Sequence, residues 1–252
     1  PDVRVQVDVI EETCRVSLDF VGEEALHRRT YRPYVHPSPL NTVLAAAMVL
    51  ASGWQPHEQL VDPLCGGGTI AIEAALYARR VPGGFFRKHK FPFPHLRCFT
   101  GQDLSELFRQ WDARIDWQLP ARIWGSDRSA RHIQGAQANA FHFSVADTIR
   151  WQVLELAELP EVFPPGSVRC IITNPPFGVR LGSLRQARTV QEILCKVTHE
   201  VLSDDGQLVV ITHHADWFEE VALTHGLLPC QRYTVLPGDL LASLFVLRRK
   251  EG

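Results

Sequence analysis

The sequence predicts an α/β protein built on a doubly wound, mostly parallel sheet. Three stretches carry that expectation. Leu60 to Thr69 is a short apolar strand running into Cys65-Gly66-Gly67-Gly68-Thr69, with a helical pattern directly after it. Ala121 to Asp127 repeats the motif of a strand that ends in an acid and is followed by a helix. Val168 to Thr173 is an apolar, β-branched run stopped by Asn174-Pro175-Pro176-Phe177. Strands alternating with helices favour parallel βαβ units, whose ligands sit at the carboxyl ends of the strands.

The elements follow in order. Val3, Val5, Val7 and Val9 alternate with polar residues, and Cys14 to Phe20 alternates again after Glu11-Glu12. This predicts an N-terminal β-hairpin, a linker or edge module. Leu26 to Tyr34 places His27, Arg28, Arg29 and Arg32 among Tyr31 and Tyr34. It reads either as a solvated loop or as an RNA-facing strip, with Arg for phosphate and Tyr for stacking. Ser38 is a candidate N-cap with Pro39 at the first helical position, for a helix from Leu40 to Ser52 closed by Gly53. The glycine turn opens a helix from Ile70 to Arg80. Residues 81–120 are irregular, with a helix expected from Leu104 to Trp117. The basic tetrad Arg87-Lys88-His89-Lys90 reads as a polyanion contact or as a solvated turn. A helix from Ser129 to Phe141, a strand from Thr148 to Leu156, a helix from Gln186 to Leu202 and a strand from Gly206 to Thr212 continue the alternation. A hairpin, Arg232 to Leu236 and Ala242 to Arg249, closes a sheet of seven strands.

Composition bounds the function. The chain has 252 residues, 45% of them hydrophobic, which supports a sizeable core. A net charge of −2 means that any nucleic-acid surface is a local patch. The six cysteines include no Cys-x-x-Cys pair, and they read as thiols in a reducing compartment. No run resembles a membrane span or a signal peptide. His89, His95 and Cys98 match no zinc spacing, so no metal is expected. The chain opens at Pro1 with its one Met at position 48, which reads as a fragment.

Two motifs carry chemistry. Glycines after a strand let a ligand approach the backbone, and the helix that follows offers free N–H groups. No Gly-Lys-[Ser/Thr] is present, and Asp62 at the strand end suits a cationic or hydroxyl-bearing ligand better than a phosphate. Pro175 and Pro176 have no N–H and fix the backbone, so Asn174 and the carbonyls after it are held stiffly at a strand end. Asp127, at the tip of the second strand, is placed to bond ribose hydroxyls.

The order Asp-x-x-x-Gly-x-Gly, strand-end Asp, strand-end acid, Asn-Pro-Pro-Phe and terminal hairpin resembles the Rossmann-like class I S-adenosylmethionine-dependent methyltransferases that act on exocyclic amines. It is most similar to the THUMP-associated RNA guanine-N2 methyltransferases of tRNA and 23S rRNA. The residues that carry this are Leu26 to Arg32, Pro39-Leu40 with Leu44 to Ala47, Asp62 to Ala75, Gly125-Ser126-Asp127, and Asn174 to Gly182. The resemblance implies S-adenosylmethionine held by Pro39, Leu40, Asp62, Pro63, Cys65, Gly66, Gly67, Gly68, Thr69, Asp127, Arg128, Glu155, Leu156 and Asn174. Asp62 would lie near its ammonium, Asp127 on the ribose and Glu155, where an Asp is usual, on the adenine. Asn174, Pro175, Pro176 and Phe177 would be catalytic, and His27, Arg28, Arg29, Tyr31, Arg32 and Arg180 would hold RNA. The implied organisation is a hairpin and basic linker over 1–37, a methyltransferase domain over 38–252 with an insert at 81–120, and a THUMP domain upstream. The implied protein is a cytoplasmic monomer. Asn-Pro-Pro-Phe is shared with DNA adenine-N6 and protein glutamine-N5 methyltransferases, so both are alternatives. A silent cofactor- or RNA-binding scaffold is the non-enzyme alternative.

Overall fold

The computed structural model describes residues 3–26, 32–177, 183–236 and 240–250. In chain order the elements are β1 (Arg4–Ile10), β2 (Thr13–Asp19), α1 (Thr42–Ala51), β3 (Gln59–Asp62), α2 (Thr69–Ala78), α3 (Leu104–Asp112), β4 (Arg122–Asp127) and α4 (Ala130–His142). They continue as β5 (Ile149–Val153), α5 (Leu159–Val162), β6 (Val168–Thr173), α6 (Leu184–Val201), β7 (Leu202–Thr212), α7 (Ala215–Thr224), β8 (Leu227–Val235) and β9 (Ala242–Arg249). The chain forms two compact units, one from Arg32–Ala78 with Leu119–Gly252 and one from Pro1–Tyr31 with Arg79–Gln118.

The first unit holds a seven-stranded sheet in the order β5-β4-β3-β6-β7-β9-β8. Among the described residues β9 pairs antiparallel with both β7 and β8, and the other strand pairs of this sheet are parallel. The central strands are nearly continuous apolar runs because both faces are covered. In β6 every residue except Arg169 is fully buried. Alternation then divides the core. Val61, Ile171, Leu208, Val210, Phe245 and Leu247 face α6 and α7, where Leu194, Val201, Phe218 and Ala222 meet them. β3 and β6 are parallel neighbours, and the order in which strands are added reverses between them, so their carboxyl ends form the crevice where ligands of such sheets bind.

In the second unit β1 and β2 pair in register from Arg4↔Asp19 to Ile10↔Thr13. Residues 79–118 carry a chain of ring contacts, Phe91–Phe93, Phe93–Phe99, Phe93–Phe108 and Phe108–Trp111. Buried Arg87 donates to the carbonyls of Ala25 (2.9 Å) and Val21 (3.1 Å). Lys88 pairs with Asp112, and Lys90 with Glu24 at 3.7 Å. Three members of the basic tetrad are thus bonded inside this unit, and Arg87 is no solvated side chain.

Several boundaries differ from the sequence expectation. The cap of α1 is Asn41, whose side chain accepts from Val43 N, and not Ser38. Ser38 instead gives its N–H to His36 Nδ1 at 3.2 Å. The helix expected to reach Trp117 stops at Asp112, and the strand expected to reach Leu156 stops at Val153. Helix α7 went unforeseen because no side chain caps its start at His214. β8 begins at Leu227, ahead of the expected Arg232, and it tolerates Pro229 because it is an edge strand with a register shift there.

Candidate active site at the carboxyl ends of β3, β4 and β6

The loop after β3 is locked from two sides. Cys65 N donates to Ser126 O (2.9 Å), and Gly66 N donates to the Asp127 carboxylate (3.1 Å). Asp127 also accepts from Ser129 N at 2.9 Å and lies 3.2 Å from His132 Nδ1. Gly68 has φ +80°, and a Cβ there would lie 2.7 Å from the Trp151 ring and 3.0 Å from Ala136 Cβ. Only glycine fits both that backbone and that space.

A strap from Tyr34 to Ser38 lies against this loop. Asn139, buried in α4, accepts from Tyr34 N and donates to the carbonyls of Tyr34 and Gly67, each at 3.0 Å. The His36 ring stands 3.2 Å from where a Gly66 Cβ would be, and it meets His132 edge-on at 4.5 Å. Arg32 Nη1 reaches Thr69 Oγ1 at 3.5 Å.

Asp62 joins the glycine turn to the Asn-Pro-Pro-Phe strand. Its Oδ1 accepts from Thr173 Oγ1 at 2.8 Å and from Leu64 N at 3.3 Å. The carboxyl is 1% exposed. Burial pushes its pKa up to about 7, and the bonds from Thr173 and Leu64 oppose that rise. A buried acid poised near neutrality is suited to a cationic partner, whose charge would replace the lost hydration.

One residue beyond Thr173, Asn174 Oδ1 is buried and has no hydrogen-bond partner among the described residues. An unsatisfied buried acceptor costs roughly 1–3 kcal/mol, so such an atom in a native fold calls for a reason. Pro175 is buried, Pro176 exposed and Phe177 half-buried, with its ring 4.4 Å from His213 at 82°. The carbonyl of Pro176 accepts from Gln191 Nε2 (3.2 Å), and that of Phe177 lies 3.2 Å from His214 Nε2.

The structure therefore gathers Asp62, Pro63, Cys65, Gly66, Gly67, Gly68, Thr69, Asp127 and Asn174 at adjacent strand ends. Leu154 N donates to Asp127 O at 3.1 Å, which sets the end of β5 beside them. Glu155 there is exposed with its own N–H on Glu158 Oε2 at 3.0 Å, and Leu156 is buried. Arg128 and Pro39 are exposed, and Leu40 is half-buried. His27, Arg28, Arg29, Tyr31 and Arg180 lie outside the described residues. Sequence reasoning missed His36, Thr173, Asn139 and Gln191. The available signal for the last two was a polar side chain on the buried stripe of a helix, beside Ala136 and Ala140 or beside Ala187 and Leu194. Among the described residues, no group of three or more His, Cys, Asp or Glu side chains is placed to hold a metal, and no helix is long and apolar enough to cross a membrane.

The model of the RMKL-like methyltransferase domain (UPF0020) matches residues 29–236. The chain belongs to that family. It is 33% identical over 247 residues to the tRNA (guanine(6)-N2)-methyltransferase of Methanocaldococcus jannaschii, covering 98% of this chain and 64% of that one. It is 31% identical over 247 residues to the Archaeoglobus fulgidus protein of the same name, covering 98% of this chain and 58% of that one. This RMKL-like domain thus spans somewhat under two thirds of the length of these relatives. Among solved structures, a possible methylase from Clostridium difficile 630 superposes with TM-score 0.85 at 26% identity, over 99% of this chain and 63% of that one. SMU.472 complexed with SAH gives TM-score 0.84 at 23% identity, over 99% of this chain and 62% of that one, and shows the same fold.

Proposed function

We propose that this RMKL-like domain is the catalytic part of an S-adenosylmethionine-dependent methyltransferase acting on the exocyclic N2 amine of a guanosine in tRNA. The observation that carries the reading is the Asp62–Thr173 bond, which ties the acid at the start of the glycine turn to the residue just before Asn174, whose Oδ1 has no partner among the described residues. The curated relatives, both tRNA guanine-N2 enzymes, favour this target over DNA adenine or protein glutamine.

The site fits the cofactor. Its ammonium would meet Asp62, its ribose Asp127 and its carboxylate the N–H groups at the start of α2. Pro39, Leu40, Glu155 and Leu156 would border the same group. Bound there, the cofactor supplies an electrophilic methyl.

The chain's own residues do the rest. A guanine amine is planar and a poor nucleophile, because its lone pair is delocalised into the ring. Asn174 Oδ1 and the Pro175 carbonyl would each accept one of its N–H bonds, which favours a pyramidal nitrogen and aims its lone pair. Orientation of this kind supplies several kcal/mol, up to ~7–11 in ideal cases. None of Asn174, Pro175 and Pro176 is a base, so the amine is aimed and not ionised; the methylated amine would be cationic and strongly acidic, and would release its proton to water. Phe177 would stack on the base for about 1–3 kcal/mol, offsetting the few kcal/mol needed to extrude it. His27, Arg28, Arg29, Tyr31, Arg32 and Arg180 would hold the backbone, and a THUMP domain in the full-length protein would add RNA affinity. The same reading makes the protein a cytoplasmic monomer acting without metal.

The test is nucleoside mass spectrometry of tRNA from a strain lacking the gene. Loss of N2-methylguanosine, restored by the gene, is expected. An unchanged nucleoside profile would reject the proposal.

A further inference from the structure

The Asn-Pro-Pro-Phe loop has a particular anchoring problem. Residues 175 and 176 have no N–H, so over that stretch the backbone can be tied down only through its carbonyls. The structure meets this with side-chain donors. Gln191, fully buried on α6, gives its Nε2 to the Pro176 carbonyl at 3.2 Å. His214 Nε2 faces the Phe177 carbonyl at 3.2 Å.

The orientation of the Gln191 amide is itself fixed. His214 N donates to Thr212 Oγ1 at 3.1 Å, which occupies a lone pair of that hydroxyl. The hydroxyl proton is then directed at Gln191 Oε1, 3.3 Å away. Both Thr212 and Gln191 are 0% exposed, so water does not compete. With Oε1 satisfied in this way, the amide NH₂ must face Pro176, whose carbonyl can only accept. The loop is thus tied back to β7 and α6 through one relay, His214 N to Thr212 to Gln191 to Pro176.

We propose that Gln191, oriented by Thr212, is a positioning residue for methyl transfer. It holds the Pro176 carbonyl, so that Asn174 Oδ1 and the Pro175 carbonyl point into the crevice. It touches neither substrate nor cofactor. This inference rests on the proposed function for its kinetic consequence, and on the fold alone for its geometric one.

Two substitutions test it in the full-length protein. Gln191→Met keeps the volume and removes the donor. Gln191→Leu removes the donor with a shorter, branched apolar side chain. Crystal structures of both variants should show the Pro176 carbonyl displaced by about 1 Å or more from its wild-type position, with α6 in place. A misplacement on that scale is expected to lower single-turnover methyl transfer to tRNA on the order of 10²-fold. The cofactor Kd, measured by calorimetry, should stay within about twofold, since the glycine turn lies on β3 and not on this relay. Thr212→Val should give the same pattern in weaker form. An unmoved loop in both Gln191 variants would overturn the inference, as would wild-type transfer rates. Loss of cofactor affinity in parallel with activity would also overturn it, because it would mark a general structural role. If the wild-type protein methylates no guanosine, the functional reading fails, and the crystallographic comparison still decides whether Gln191 sets the loop.

Discussion

Asp62 is 1% exposed, and its carboxyl is pushed from 3.8 up to about 7, first of all by burial. An acid whose folded pKa is raised binds protons more tightly folded than unfolded. It therefore favours the folded state at low pH, and that contribution is lost as pH climbs from about 4 through about 7. Asp62→Asn should flatten this slope in urea titrations between those limits. Cofactor binding should run the other way. An ammonium needs the ionised carboxylate, so affinity for S-adenosylmethionine should rise with pH up to about 7, by as much as roughly tenfold per unit. Calorimetry across that window checks it, and a flat profile would mean that Asp62 meets no cation. Asn174 and Asp62 were both visible in the sequence, because prolines and glycines bracket them. Thr173, which joins them, was not. A threonine in an apolar strand carries no mark of its partner until β3 and β6 lie side by side.

At the scale of elements, α4 bears on the site as much as the glycine turn does. Asn139 makes three bonds, to Tyr34 N, Tyr34 O and Gly67 O. Asn139→Ala would leave these backbone groups without that partner, and should cost roughly 2–3 kcal/mol. The expected fall in Tm is about 4–12 °C by calorimetry. Gly68→Ala should cost roughly 1–3 kcal/mol through its clash with Trp151, before any effect on binding. A melt equal to wild type in either variant would contradict the packing described. Strand and helix order was legible because apolar periodicity and strand-end acids repeat. Element ends were less so. Asn41 displaced Ser38 as a cap because either side chain can serve, and α7 had no start signal at all. The basic tetrad misled for another reason. Charge along the sequence says nothing about acceptors brought from elsewhere, and Arg87 is buried on the carbonyls of Val21 and Ala25.

At the scale of the whole molecule, the sheet order β5-β4-β3-β6-β7-β9-β8 puts the glycine turn and the Asn-Pro-Pro-Phe loop at the carboxyl ends of two neighbouring central strands. Ligand binding to the folded state alone should raise stability by about 2.7 kcal/mol at one hundred times Kd. For a chain of this size that is a Tm increase of roughly 5–11 °C with S-adenosylhomocysteine, and no shift would contradict cofactor binding. The central claim is that Asn174 aims a guanine amine. It is tested most directly by incubating full-length wild-type and Asn174→Ala protein with unmodified tRNA and methyl-labelled S-adenosylmethionine, then identifying the labelled nucleoside by mass spectrometry. The account predicts label in N2-methylguanosine with wild type, and at least a roughly 10²-fold slower transfer with Asn174→Ala at saturating cofactor. Label in another nucleoside, or equal rates for the two proteins, would contradict it.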